Sequence, residues 1–280
     1  MRIGLDIGGT KIEAILATNK GEIKKTFRMP AEVNKGRAKV LANLVHAINQ
    51  VDNGKVKEVG ISFAGVLKDG KVLKAVHISC FDRFDLKTKL ESLTKKKIRI
   101  ENDANCFALA EQKRGACKGK ENILGIIIGT GIGAGVVIKG QIHSGKNNSA
   151  GEVGKIRIMK GKTFEELCSG PGVSARFIAA GGNKEEASPK EIFKSKSRIA
   201  KDIVNETIEV ISYVLANQIT SFDPDAIVLG GGLSNVAFYK EINKHVQEQL
   251  FLKELRATKI LKNKLGDSSG TIGAVMLWDS

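Results

Sequence analysis

Two segments of the chain repeat one another, and this repeat limits the fold more than any other feature. IGLDIGGTKIEAIL runs from Ile3 to Leu16 and LGIIIGTGIGAGVVI from Leu124 to Ile138, and each leads into a Lys-Gly turn and a further short apolar run. With a two-residue gap, Gly4, Gly8 and Gly21 align with Gly125, Gly129 and Gly140. Each copy reads as strand, glycine turn, strand, turn, strand. Two such openings in 280 residues predict an α/β protein of two duplicated lobes, with the cleft between them as the natural ligand site.

Periodicity fills in the rest. Val40, Leu41, Leu44, Val45 and Ile48 recur at helical spacing and predict a helix over Arg37–Gln50. Val59–Phe63 reads as a strand, Lys68-Asp69-Gly70 as a hairpin turn, Asp85–Lys95 as a helix, and Lys97–Glu101 as a strand feeding a helix over Ala104–Gly115. In the second half, helical signals cover Thr163–Cys168, Gly172–Ala180, Lys190–Lys194 and a long Ser197–Ser221. A strand at Ala226–Leu229, a helix over Val236–Leu250, a strand at Thr258–Leu261 and a helix over Thr271–Trp278 follow.

Composition narrows the function. Hydrophobic residues at 42% and charged residues at 27% are ordinary for a globular protein, and no apolar run approaches the roughly 20 residues of a membrane span. Asp6 interrupts the N-terminus before a signal-peptide core forms, so the chain is expected to be cytoplasmic and without a membrane partner. Cys80, Cys106, Cys117 and Cys168 form no CxxC pair and read as reduced thiols. The net charge of +15 would suit a nucleic acid, but its lysines are scattered and aromatics are only 5%. A solvated basic surface without nucleic-acid binding is the expectation, and its field would also favour polyanionic substrates such as nucleotides.

The glycine runs carry the chemistry. Gly129, Gly131, Gly133 and Gly135 are spaced G-x-G-x-G-x-G and precede another strand-like run, so the G-x-G-x-x-G dinucleotide fingerprint fails. A Walker loop is absent too. What remains is a β-hairpin whose tip lacks side chains and whose amides can face an anion. One such hairpin is commonly only a tight turn. Two of them, at Gly8, Gly9, Thr10 and Lys11 and at Gly129, Thr130, Gly131 and Gly133, favour a clamp on a phosphate chain. Asp6 sits in an otherwise apolar strand beside the first turn, where a half-buried carboxylate needs a partner, and Mg²⁺ held directly or through water would serve. ENDAN, Glu101 to Asn105, either caps the following helix or offers a carboxylate at a strand end, suited to take a hydroxyl proton. Glu152 in GEVGK either binds hydroxyls or is a surface charge, and Gly230-Gly231-Gly232 could admit a flat nucleoside.

DIGGTK at Asp6–Lys11, ENDAN at Glu101–Asn105, GTGIGAG at Gly129–Gly135, GEVG at Gly151–Gly154 and LGGGLS at Leu229–Ser234 occur in this order. With them the chain resembles the ROK family (repressors, open reading frames and sugar kinases) over essentially its full length. The resemblance implies an actin/hexokinase-like, ribonuclease H-like fold of two lobes, with ATP and Mg²⁺ in the interlobe cleft and phosphorylation of a sugar hydroxyl. It divides the chain into residues 1–105, joined by a C-terminal helix at 266–280, on the sugar and phosphate side, and residues 106–265 on the nucleotide side. It makes Asp103 the catalytic base, Asn102, Glu152 and Glu165 sugar ligands, Gly9, Thr10, Thr130 and Gly131 phosphate ligands, and Gly231 and Gly232 the adenosine floor. A homodimer is a further family-based expectation.

Three departures fall on sugar recognition. Lys155 stands where the family has His after GExG. The cysteine-rich zinc loop is reduced to Cys168, so no structural zinc is expected. His77, in HISCFDRFDL, takes the place of an asparagine. The expected activity is transfer of the ATP γ-phosphoryl to a hexose or N-acetylhexosamine hydroxyl, O6 first, glucokinase-like, with N-acetylmannosamine or fructose as alternative acceptors. A non-catalytic sugar sensor and a repressor are the competing classes. The repressor class carries a DNA-binding segment ahead of the DIGGTK strand, for which a strand beginning at Arg2 leaves no room.

Overall fold

The structure is a computed structural model that describes residues 1–159, 161–235 and 238–279. Its strands, in chain order, are β1 (Arg2–Ile7), β2 (Lys11–Ala17), β3 (Ile23–Pro30), β4 (Glu58–Phe63), β5 (Gly65–Lys68), β6 (Lys71–Ala75), β7 (Phe84–Asp85) and β8 (Lys97–Asn102). The second half adds β9 (Ile123–Ile128), β10 (Ile132–Ile138), β11 (Gln141–Ile142), β12 (Arg157–Met159), β13 (Lys162–Thr163), β14 (Ala226–Gly230) and β15 (Lys259–Lys262). The helices are α1 (Gly36–Val51), α2 (Leu86–Thr94), α3 (Asp103–Lys113), α4 (Phe164–Cys168), α5 (Gly170–Ala179), α6 (Pro189–Ile192), α7 (Arg198–Phe222), α8 (Tyr239–Gln249) and α9 (Ser269–Met276). Val236, where the sequence pattern opens the helix before Leu250, and Ser280 lie outside the described residues.

Two sheets have the same strand order. One runs β3-β2-β1-β4-β8 and the other β11-β10-β9-β14-β15, so the repeated sequence opening is matched by a repeated topology. In the first, β1 pairs antiparallel with β2 and parallel with β4, and β4 pairs parallel with β8. In the second, β9, β14 and β15 are parallel and β10 pairs antiparallel with β11. A smaller sheet joins β5, β6 and β7, and β12 pairs with β13. That last pair escapes sequence patterning because it is two or three residues long and rich in charge.

The chain divides into two compact units. One comprises residues 1–119, 135–150 and the C-terminal segment from Lys264, and the other residues 120–134 and 151–263. This differs from the expected division at 105/106. The reason is α3: its Cys106, Leu109 and Ala110 share one core with Ile15 of β2 and with Ile272, Val275 and Met276 of α9. The opposite face of the same sheet buries Ile3, Leu5 and Ile7 of β1 and Val59, Ile61 and Phe63 of β4 against Val40, Leu44 and Ile48 of α1. Alternation along β1 thus sends Gly4 and Asp6 to the α9 side. In the second unit, Val173 and Phe177 of α5, Ile192 of α6 and Ala200 and Ile203 of α7 form a core. Among the described residues no helix is long and apolar enough to cross a membrane.

Glycine lets α9 lie directly on the first sheet. A methyl group at Gly4 would come within 2.2 Å of the Thr271 carbonyl oxygen, and one at Gly60 within 1.8 Å of that of Ala274. The loop into α9 is held by Glu111, a fully buried carboxylate near the end of α3. Glu111 accepts the backbone N–H groups of Ala116 (2.8 Å), Lys264 (3.1 Å) and Leu265 (2.9 Å). A charge taken out of water is tolerated where several donors replace the lost hydration. Replacing Glu111 with Gln puts an NH₂ among these donors and should lower unfolding free energy by about 2–4 kcal/mol. Urea unfolding of the variant measures this, and a loss below about 0.5 kcal/mol would show that the buried clamp contributes little.

Candidate active site

In the first unit a polar row crosses the sheet. Strand register aligns Glu13 of β2 with Asp6 of β1, Asp6 with Ser62 of β4, and Ser62 with Glu101 of β8. The Ser62 hydroxyl donates to Asp6 Oδ1 at 2.6 Å. Gly270, at the start of α9, is close enough that a methyl group there would lie 2.7 Å from the same oxygen. Burial pushes the Asp6 carboxyl above its ordinary range, opposed by the Ser62 hydrogen bond and reinforced by the nearby charge of Glu13. Glu13 is itself buried and is neutralised by Arg28 on β3, whose Nε lies 3.0 Å from Oε2. Lys11 Nζ approaches that same oxygen at 3.8 Å.

The row meets the first turn of α3. Asn102 is the N-cap: Oδ1 accepts the N–H groups of Ala104 (2.9 Å) and Asn105 (3.3 Å), while Nδ2 donates to the Gly65 carbonyl at 3.1 Å. Glu101 Oε1 accepts the Asn105 side-chain amide at 3.0 Å. Asp103, the first residue of α3, is half-buried, and its Oδ1 accepts the Ala104 N–H at 3.0 Å. Beneath it the buried Cys106 thiol is pushed well above its ordinary range, first by desolvation and then by Glu101, Asp6 and Asp103. Asp6 and Glu101 flank Ser62 in the register of the sheet and Asp103 opens the helix directly after β8, which brings the expected base and the expected metal ligand into one neighbourhood.

The first glycine turn borders this cluster. The Gly8 N–H donates to the Lys11 carbonyl at 3.0 Å, closing the turn between β1 and β2. A methyl group at Gly9 would lie 2.6 Å from His77 Cβ, so the turn packs directly on His77. Thr10 and His77 are both exposed.

In the second unit, the Gly129 N–H donates to the Gly131 carbonyl at 2.9 Å, and the Gly170 N–H donates to the Gly129 carbonyl at 2.8 Å. Gly133 lies within β10, beyond the turn. A cavity of about 1160 Å³ opens here, lined by Gly129, Thr130, Pro171, Phe193, Gly232 and Leu233 among others. At Gly231 (φ +85°) a methyl group would sit 2.5 Å from the Ile128 carbonyl oxygen, which ties this turn to β9. Glu152 is exposed just before a short turn over Val153–Lys155. Lys155 Nζ lies 2.5 Å from Glu165 Oε1, and this bond holds the ammonium above its ordinary range. Glu165 Oε2 accepts the Ile132 N–H at 2.8 Å.

The sequence profile of the ROK family matches residues 2–280. The chain belongs to the ROK family. An N-acetyl-D-glucosamine kinase of Photobacterium profundum is 34% identical, over 99% of both chains. A glucokinase of Halalkalibacterium halodurans is 30% identical, over 97% of this chain and 92% of its own. The crystal structure of a ROK family glucokinase from Streptomyces griseus, in complex with glucose and AMPPNP, superposes with a TM-score of 0.81 at 28% identity, covering 99% and 98% of the two chains. The mixed α/β architecture expected from the repeat is the fold shared with these ROK proteins.

Within this ROK chain, two contributors escape motif reading. Ser62 and Glu13 stand in apolar strands, EVGISF and KIEAILA, and that isolation was the available signal. The cavity lining from Pro171 and Phe193 comes from segments with no motif at all. At Cys168, burial pushes the thiol up to about 12.

The raised Asp6 carboxyl has a stability consequence. The folded chain keeps this proton longer than the unfolded chain, so its contribution to stability falls as pH rises from the ordinary carboxylate range, about 3.9, through the raised value. Asp6→Asn should therefore melt at a higher temperature than the wild type at pH 7, with the gap closing as pH falls toward about 4. A variant that melts lower at pH 7 would contradict this account of Asp6.

Proposed function

We propose that this ROK protein is a sugar kinase that transfers the γ-phosphoryl group of ATP to a hexose or N-acetylhexosamine hydroxyl, O6 first. The strand register that sets Asp6 beside Ser62 and Ser62 beside Glu101, with Asp103 two residues further on at the carboxyl end of that parallel strand, is the observation that carries this reading. Whole-length similarity to an N-acetyl-D-glucosamine kinase and a glucokinase supports it.

In this reading Asp103 accepts the proton of the acceptor hydroxyl as its oxygen bonds to the γ-phosphorus. The bond from that phosphorus to the β–γ bridging oxygen breaks, and ADP leaves with the electron pair. Such transfer depends on positioning and on charge stabilisation. The amides at Gly8–Lys11 and at Gly129–Gly131 and the Thr10 and Thr130 hydroxyls are the proposed phosphate ligands, and the cavity beside Phe193 and Gly232 is the proposed nucleoside site. Asp6 suits Mg²⁺ held through water, because the ion takes one or two carboxylates and fills its remaining positions with phosphate and water. Bound there, Mg²⁺ would offset phosphate charge. Asp6, half-buried with one oxygen bonded to Ser62, fits that limited role.

Asn102, Glu152, Glu165, Lys155 and His77 are the proposed acceptor-side residues. The relatives favour N-acetyl-D-glucosamine and glucose as the first acceptors to test. A coupled ADP-release assay over a sugar panel, with and without a chelator, should show sugar-dependent, metal-dependent turnover. Asp103→Asn should lower kcat by about 10² or more with the KM for ATP little changed. Near-normal turnover in that variant would remove Asp103 as the base.

A further inference from the structure

In the small sheet of the first unit, β5 is an end strand held along both edges. On its β6 side the Val76 N–H donates to the Ala64 carbonyl at 3.1 Å, so by alternation the Gly65 and Leu67 carbonyls face the opposite edge. Two side-chain amides stand there in place of a neighbouring strand. Asn102 Nδ2 donates to the Gly65 carbonyl at 3.1 Å, and Asn148 Nδ2 donates to the Leu67 carbonyl at 2.6 Å. A carbonyl only accepts, so each asparagine presents its NH₂ to the strand.

The two asparagines differ in what else they hold. Asn102 caps α3, so the helix fixes its place. Asn148 lies in the loop after β11, which closes on itself where the Ala150 N–H donates to the Ser144 carbonyl at 3.1 Å. Its φ of +53° is a conformation that asparagine adopts more readily than most residues. From there the half-buried side chain reaches out of its own loop to β5. A four-residue end strand has little else to fix its outer edge. That strand matters to the acceptor side: it receives the Asn102 amide, and its partner β6 ends two residues before His77.

We propose that Asn148 is a positioning residue for the acceptor side of the site: by pinning the outer edge of β5 it sets sugar affinity. The α3 cap holds Asn102 and Asp103 independently of Asn148, so the chemical step is left unchanged. This rests on the kinase reading above. It gives a role to a loop residue that lies outside every motif of the sequence.

The test compares Asn148→Gly and Asn148→Asp with the wild type. Glycine keeps the left-handed backbone and removes only the amide, whereas aspartate sets a second acceptor against the Leu67 carbonyl. Calorimetric titration of the full chain with N-acetyl-D-glucosamine and with glucose should show affinity about fivefold lower in Asn148→Gly, the size of one lost hydrogen bond, and at least as low in Asn148→Asp. In turnover assays the KM for sugar should rise by the same factor, with kcat and the KM for ATP within about twofold of the wild type. The melting temperature of Asn148→Gly should move by no more than about 4 °C. Wild-type sugar affinity in Asn148→Gly overturns the proposal. So does an equal loss on the ATP side, or a larger fall in melting temperature, since either would mark general damage. If the wild type binds sugar but phosphorylates none, the kinase reading fails while the affinity ratio still decides the role of Asn148. If the wild type binds neither sugar, both fall.

Discussion

The approach of α9 to the first sheet is the contact on which the candidate site depends. A helix normally stands off a sheet because side chains separate the two layers. Here Gly4 and Gly60 remove those side chains from β1 and β4, and Gly273 does the same toward α3, where a methyl group would lie 1.9 Å from the Cys106 carbonyl oxygen. One helix therefore sets the spacing of two strands and a second helix by backbone contact. The consequence is chemical. Gly270 meets the Asp6 carboxylate, and the fixed first turn of α3 presents Asn102 and Asp103. Segments from both ends of the sequence are needed to build one cluster, which is why the first unit includes the chain from Lys264 onward.

Much of this was legible in the sequence where period and turn chemistry agree. The β1 bounds follow from RIGLDI, and α1 from five apolar residues at helical spacing. The duplicated strand order follows from the aligned glycines. The site was legible only as motifs. DIGGTK and ENDAN announce that carboxylates gather, but the row from Glu13 through Asp6 and Ser62 to Glu101 exists only once strand register is known. The Lys155–Glu165 pair was hidden for a different reason. Ten residues and a two-stranded turn separate its partners, and no local pattern predicts a long-range ion pair. The unit boundary was hidden because α3 follows β8 in sequence, while its packing partner, α9, lies over 150 residues away.

Asn102 illustrates how a structural commitment limits a functional role. ENDAN allowed two readings, a helix cap or a carboxylate suited to take a proton, and Asn102 fills the cap in full. Both lone pairs of Oδ1 meet backbone N–H groups, and one hydrogen of Nδ2 is given to Gly65. A primary amide has two hydrogens, so at most one remains for a bound molecule. A sugar meeting Asn102 can therefore only accept from it, through a ring or hydroxyl oxygen. Any hydroxyl proton at this end of the site must go elsewhere. The neighbouring carboxylate of Asp103, ionised, has only acceptor capacity. The cap and the carboxylate are adjacent in sequence but opposite in hydrogen-bonding sense. In the proposed kinase reading, this opposition would give an acceptor hydroxyl a direction: its oxygen toward Asn102 and its proton toward Asp103. The Asn102 half of that arrangement is a product of helix capping and is in place before any substrate binds.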